Sequence, residues 1–185
     1  MDDMKRVYPA FAACGLNCGL CPRYYTDGAS RCPGCAGEGF SAKHPTCGVL
    51  SCCRRQAIDG CYACGEFPCR RYDSVGERDS FISHRNQYTD LERIKEIGVE
   101  VYRAELDEKM AALQALLSGY DDGKRKSLFC TAVNLLAPDN IRNVLERLAA
   151  CTNHSQTQKE KAAQAAQFLQ AEADSCGIDL RLRKK

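Results

Sequence analysis

Eleven of the fourteen cysteines fall between Cys14 and Cys69, and no other feature limits so strongly what the chain can fold into. They form four clusters: C-G-L-N-C-G-L-C (Cys14, Cys18, Cys21), C-P-G-C (Cys32, Cys35), C-G-V-L-S-C-C (Cys47, Cys52, Cys53) and C-Y-A-C-G-E-F-P-C (Cys61, Cys64, Cys69). Two cysteines spaced two residues apart let one turn present two thiolates to one ion, and two such half-sites close a tetrahedral Zn²⁺ site. The competing explanation is a disulfide framework, which belongs to secreted chains. Residues 1–6, M-D-D-M-K-R, lead into no apolar signal-peptide core. No stretch approaches the roughly 18 apolar residues of a membrane span. The expected setting is therefore the cytoplasm, where thiols stay reduced and clustered cysteines serve as metal ligands.

Iron–sulfur clusters also take four thiolates and are the alternative cofactor. Cys14, Cys18 and Cys21 form C-x3-C-x2-C, which resembles the cluster loop of radical S-adenosylmethionine enzymes. Those enzymes carry the loop on a large α/β barrel, and nothing downstream here alternates strand with helix. Two Zn²⁺ need eight ligands, so the expectation is two zinc ions drawn from Cys14, Cys18, Cys21, Cys32, Cys35, Cys47, Cys52, Cys61, Cys64 and Cys69. Cys53, adjacent to Cys52, is the expected spare. His44, before Pro45 in a polar loop, is read as a solvated histidine rather than a ligand.

The chain has 185 residues, room for one domain and a small module. It has no Trp and only six Phe, so the cysteine-rich part cannot build a large core and metal must supply much of its folding energy. Residues 1–73 carry nine Lys/Arg against seven Asp/Glu, and the remainder balances. Eight thiolates closed by two Zn²⁺ would take that module to about −2. A nucleic-acid partner is therefore not favoured, and an unidentified protein partner is expected instead.

In order, residues 5–13 read as a short edge strand, and Pro22–Tyr25 as a helical turn after the first cysteines. Residues 49–58 read as a short helix, and a cysteine-rich module is expected to close at residue 73. From residue 74 to 185 helical periodicity takes over. Leu91, Ile94 and Ile97 mark one helix ended by Gly98; Tyr102, Leu106, Met110, Leu113 and Leu117 mark a longer one ending at Gly119. Further helices are expected over Lys124–Ala137, around Ile141, Val144, Leu145 and Leu148, and over 156–175 with Gly177 as cap. Ile178, Leu180 and Leu182 alternate with charged residues and read as a strand that pairs with 5–13. The expected fold is thus a small metal-stabilised module of irregular, zinc-knuckle-like turns joined to a mainly α-helical domain, α-rich with few short strands.

Outside the module, Gly119–Ser127 (G-Y-D-D-G-K-R-K-S) is read as a solvated turn between helices rather than an anion site. Cys130 sits in the apolar run L-F-C-T-A-V and reads as a buried structural thiol. Cys151 and Cys176 suggest no local site, and His84 and His154 no role. Tyr24, Tyr25 and Tyr62 lie among basic residues and serve equally to stack on bases or to pad a small module. No Ser-His-Asp set, H-E-x-x-H or dinucleotide motif occurs, so no reaction is assigned.

C-G-L-N-C-G-L-C-P at 14–22 and C-Y-A-C-G-E-F-P-C at 61–69 resemble the cysteine-rich family of unknown function 3795, as do R-I-K-E-I-G at 93–98, D-G-K-R-K-S-L-F-C-T-A-V-N-L-L at 122–136 and the closing L-R-L-R-K-K. The resemblance implies a metal-binding module and no particular reaction.

Overall fold

The computed structural model describes residues 5–153 and 155–183. The readings placed on residues 1–4, on His154 and on the last two lysines lie outside them. Two short helices, α1 (Phe40–Lys43) and α2 (Gly48–Arg55), are set among the cysteine turns. Five longer ones follow: α3 (Gln87–Ile97), α4 (Val99–Tyr120), α5 (Lys126–Leu135), α6 (Pro138–Cys151) and α7 (Gln158–Ser175). Among the described residues there is no β-strand, and no helix is long and apolar enough to cross a membrane.

α4 is the spine, packed by α3, α5, α6 and α7. Its buried stripe is Tyr102, Leu106, Leu113 and Leu116. The repeat of three and four residues holds, but its last step falls on Leu116 and leaves Leu117 half-buried. α5 is buried continuously from Phe129 to Asn134. A helix apolar on every side must be covered on every side, and α5 lies between α4, α7 and the first cysteine turns. α6 starts with Pro138 at its first position, where a missing N–H costs nothing. α7 starts with a capping box: the Glu160 N–H donates to Thr157 Oγ1 at 3.3 Å, and the Thr157 N–H donates to Glu160 Oε2 at 2.8 Å.

Residues 5–13 do not form the expected strand. Their carbonyls serve three different loops: Cys35 donates to Pro9 O at 2.8 Å, Gly19 to Ala10 O at 2.7 Å and Cys61 to Ala13 O at 2.8 Å. A β-ladder needs one partner running alongside; this segment is a hub with several. Arg6 braces it through a bidentate pair with Asp59, at 3.0 and 2.8 Å.

The C-terminal segment alternates as expected, with Leu180 buried, but pairs with no strand. Side chains hold its backbone instead. Arg183 N donates to Asp79 Oδ2 at 2.8 Å and Asp79 N to Arg183 O at 2.9 Å, while the Arg85 guanidinium donates to the carbonyls of Asp179 and Arg181.

One buried core runs from Phe11, Leu20 and Leu50 through Leu91, Leu113, Phe129, Val144 and Leu169. At its centre the first cysteine loop lies directly on the helices. Gly15 has φ +92°, and a Cβ there would stand 2.4 Å from the carbonyl oxygen of Gln87 and 2.8 Å from Leu91 Cγ. At Gly19 a Cβ would stand 2.4 Å from Met110 Sδ. The glycines of C-G-L-N-C-G-L-C thus admit two helices to the loop backbone.

Gly15→Ala is expected to destabilise the chain by about 2 kcal/mol or more, because strained φ and a backbone clash coincide. Gly119→Ala, in an open helical position with nothing within 4 Å, should stabilise it by up to about 1 kcal/mol. Urea unfolding of both variants reads the contrast. Burial opposes ionisation of Asp79, but the N–H groups of Arg183 and His84 and the Arg183 side chain hold its carboxyl below the usual range. Its contribution should therefore be present above about pH 4 and fade below it. Hydrogen exchange in residues 179–183, compared with Asp79→Asn, checks this.

Candidate metal centre

The two outer C-x2-C motifs fold alike. Cys18–Leu20 and Cys61–Ala63 are 3₁₀ turns, closed by Cys21 N to Cys18 O and by Cys64 N to Cys61 O, each 3.1 Å. The 18–21 turn packs on α4 and α5, and the 61–64 turn on α3.

The structure gathers the cysteines into two neighbourhoods. In the first, the half-buried Cys14 and Cys18 stand near Cys35, with Cys21 and Cys32 beside Cys18; Cys61 of the second is also near Cys14. Burial, reinforced by repulsion from neighbouring thiolates, pushes the Cys14 thiol up to about 12 and that of Cys18 well above its ordinary value. His44 closes this neighbourhood: its Nε2 lies 3.2 Å from Cys32 Sγ, and its ring stacks on Phe40 at 4.4 Å between centroids. His44, read as solvated, is half-buried here, against Cys32 and Phe40. Its signal was the position of His44 at the end of α1, which folds it back over Cys32.

The second neighbourhood lines a cavity of about 440 Å³ whose walls include Cys52, Cys53, Cys61, Cys64 and Cys69, with Arg71 and Tyr72. Cys53 is buried, and its Sγ lies 3.9 Å from that of Cys61. Two thiolates on one tetrahedral ion with bonds of about 2.3 Å stand at about 3.8 Å. The residue expected as a spare is thus the one found at ligand separation from another cysteine. Hydrogen bonds from Cys53 and then Tyr72 make the Cys61 sulfur the more readily ionised of the pair, against burial. The Gln56 side chain sits between Cys52 and Cys64, at 3.6 and 3.5 Å from their sulfurs. Cys47, at the start of α2, stands near enough to Cys14 to repel its thiolate.

No disulfide joins any of the fourteen cysteines. Among the described residues, no three His, Cys, Asp or Glu side chains converge closely enough to hold one metal ion. The donor set fits a thiophilic cation in chemistry and density. Its sulfurs are soft and crowded, four of them buried and the rest half-buried, and Glu66 also lines the cavity of the second neighbourhood. In spacing, the Cys53–Cys61 pair is at the separation of shared ligands.

Residues 10–74 match the model of a family described as protein of unknown function (DUF3795). This segment, about a third of the chain, is similar to that family. The DUF3795 segment takes in all eleven clustered cysteines and ends one residue past Asp73. Searches of curated proteins and of solved structures return no significant match.

The remaining candidate sites resolve simply. Gly119–Ser127 is a turn: Asp121 and Asp122 accept from the N–H groups of Gly123 and Lys124, Arg125 pairs with Asp122, and Lys126 Nζ donates to Tyr25 O at 3.1 Å. Cys130 is buried in α5 with its thiol pushed up to about 12, chiefly by burial. Tyr62 donates to Asp59, and Tyr24 packs edge-on against Tyr25.

Cys151 and Cys176 are the exposed thiols. Maleimide labelling of the native chain, followed by mass spectrometry of peptides, should find these two modified first and Cys130 last. The Cys151→Ser/Cys176→Ser double variant should lose the fast phase.

Proposed function

We propose that the segment from Cys14 to Cys69 is a thiolate metal module in a cytoplasmic protein, holding about two zinc ions in a structural role. The single observation that carries the reading is the packing of eleven unpaired cysteines into two adjoining neighbourhoods, seeded by two identically folded C-x2-C turns. Burial, with repulsion from neighbouring thiolates added, raises the Cys14 and Cys18 thiols. Either every thiol stays protonated or a cation offsets the charge, and zinc does so at a gain of many kcal/mol in folding free energy.

Cys14, Cys18, Cys21, Cys32 and Cys35, with His44 beside them, would supply one ion. Cys52, Cys53, Cys61, Cys64 and Cys69 would supply the other, with Cys47 between. The bound ions would neutralise the thiolates and fix the loops. The chain's own residues already position the backbone: the hub at Pro9–Ala13, the Arg6–Asp59 brace, and Tyr72, which donates to Cys14 O at 3.2 Å. A module closed by thiolates leaves no open position for water, which favours an interaction role with a protein partner over catalysis.

The Cys53–Cys61 contact supports a second reading, a thiol redox or iron–sulfur centre, since two thiols in contact are also poised to be oxidised. Metal analysis with an absorption spectrum, on protein purified without oxygen, separates the two. About two zinc per chain with no visible absorption is expected, and chelation should lower the melting temperature. Cys18→Ser and Cys61→Ser should each reduce the zinc content, whereas Cys151→Ser should not. Iron with sulfide and a brown colour would overturn the zinc reading, and a metal-free chain of unchanged stability would overturn both.

A further inference from the structure

The start of α3, the middle of α4 and the α5–α6 junction line another cavity of about 320 Å³. Asp90, Arg93, Glu105 and Lys109 line it, with Leu106 and Leu136 as its apolar wall. That volume is in the range of small-molecule sites.

The four charges are not equivalent. Arg93 and Glu105 close on each other in a bidentate pair at 3.0 and 2.6 Å. Asp90 and Lys109 do not pair with each other, and among the described residues neither makes an ion pair with any other group. They sense one another only through space. The Asp90 carboxylate accepts from Asn17 Nδ2 at 2.9 Å. Lys109 Nζ donates to the Asn134 carbonyl at 3.1 Å, which leaves two ammonium protons without a protein acceptor. One cation and one anion thus face the same cavity, each with unused hydrogen-bonding capacity.

Burial makes both charges costly to the fold. It pushes the Asp90 carboxyl up to about 6 and the Lys109 ammonium down to about 8. Charged groups held at such a cost without an ion-pair partner mark candidate ligand sites.

We propose that this cavity binds a free α-amino acid with an apolar side chain, its carboxylate on Lys109 and its ammonium on Asp90. A lone anion would meet the Asp90 and Glu105 carboxylates, and a lone cation would meet Lys109 and Arg93. The walls sum to no net charge, so a zwitterion satisfies both free groups without adding any. The apolar side chain would lie against Leu106 and Leu136. No cysteine lines this cavity.

The test is ¹H–¹⁵N NMR titration of the full chain with L-leucine, L-methionine and L-valine. Two analogues of leucine accompany it: 4-methylpentanoate, which lacks the ammonium, and 3-methylbutylamine, which lacks the carboxylate. Saturable shifts in α3 and α4 with at least one amino acid are expected, with each analogue at least about tenfold weaker. Lys109→Met and Asp90→Asn, which each remove a buried charge and so should fold, are expected to weaken binding at least about tenfold. The proposal is overturned by no binding of any of the three up to about 10 mM, by analogues that bind as well as leucine, or by unchanged affinity in either folded variant. The analogue comparison uses the unaltered chain and decides the matter even if a variant does not fold.

Discussion

Asn17 joins the two halves of the molecule. It lies inside the first cysteine motif, 4% exposed, and its side chain reaches three helices: Nδ2 donates to Asp90 on α3 and Asn134 on α5, and Oδ1 accepts from Tyr102 on α4. A buried amide satisfied on every side holds its neighbours in one arrangement, because any slip leaves polar groups dry and unpaired at about 1–3 kcal/mol each. Gln87 reinforces the joint by donating to Cys14 O at 2.8 Å. The cysteine loops are therefore seated on the helical layer by polar contacts that fix direction, and by Phe11, Leu20 and Tyr102, which supply buried area.

Two sorts of buried chemistry sit on either side of that joint. Sulfur is carried on short turns, whose backbone is held by few hydrogen bonds. Charge is carried on α3 and α4, where Asp90 and Lys109 are held by regular backbone. The contrast suits the roles assigned to them. A metal draws flexible donors together as it binds, whereas a small organic ligand gains most from groups already in place.

The helices were legible because the signals behind them are local. Leu91 and Ile94, the stripe on α4, Pro138 at the start of α6 and the Ala/Gln-rich run of α7 each speak for their own segment. What was not legible depends on partners distant in sequence. Residues 5–13 read as a strand because nothing local says that Cys35, Gly19 and Cys61 each take a different carbonyl. The tail read as a strand because its alternation is real, while the groups that hold it, Asp79 and Arg85, lie about a hundred residues earlier. The cysteine spacing correctly indicated turns but could not say that Cys53 faces Cys61 or that His44 lies on Cys32. Asp90 and Lys109 gave no signal at all, since each looks like an ordinary charge on an amphipathic helix until α3 and α4 are folded together.

The approach of Gly15 to Gln87 has a mechanical consequence. Main chain meets main chain there, with no side chain between to flex and absorb a shift. Packed interiors are stiff, and a contact of this kind is among their stiffest. A displacement of the Cys14 loop is therefore handed undamped to the first turn of α3, one turn below Asp90. The sulfur-bearing loop and the charged cavity behave as two ends of one short lever.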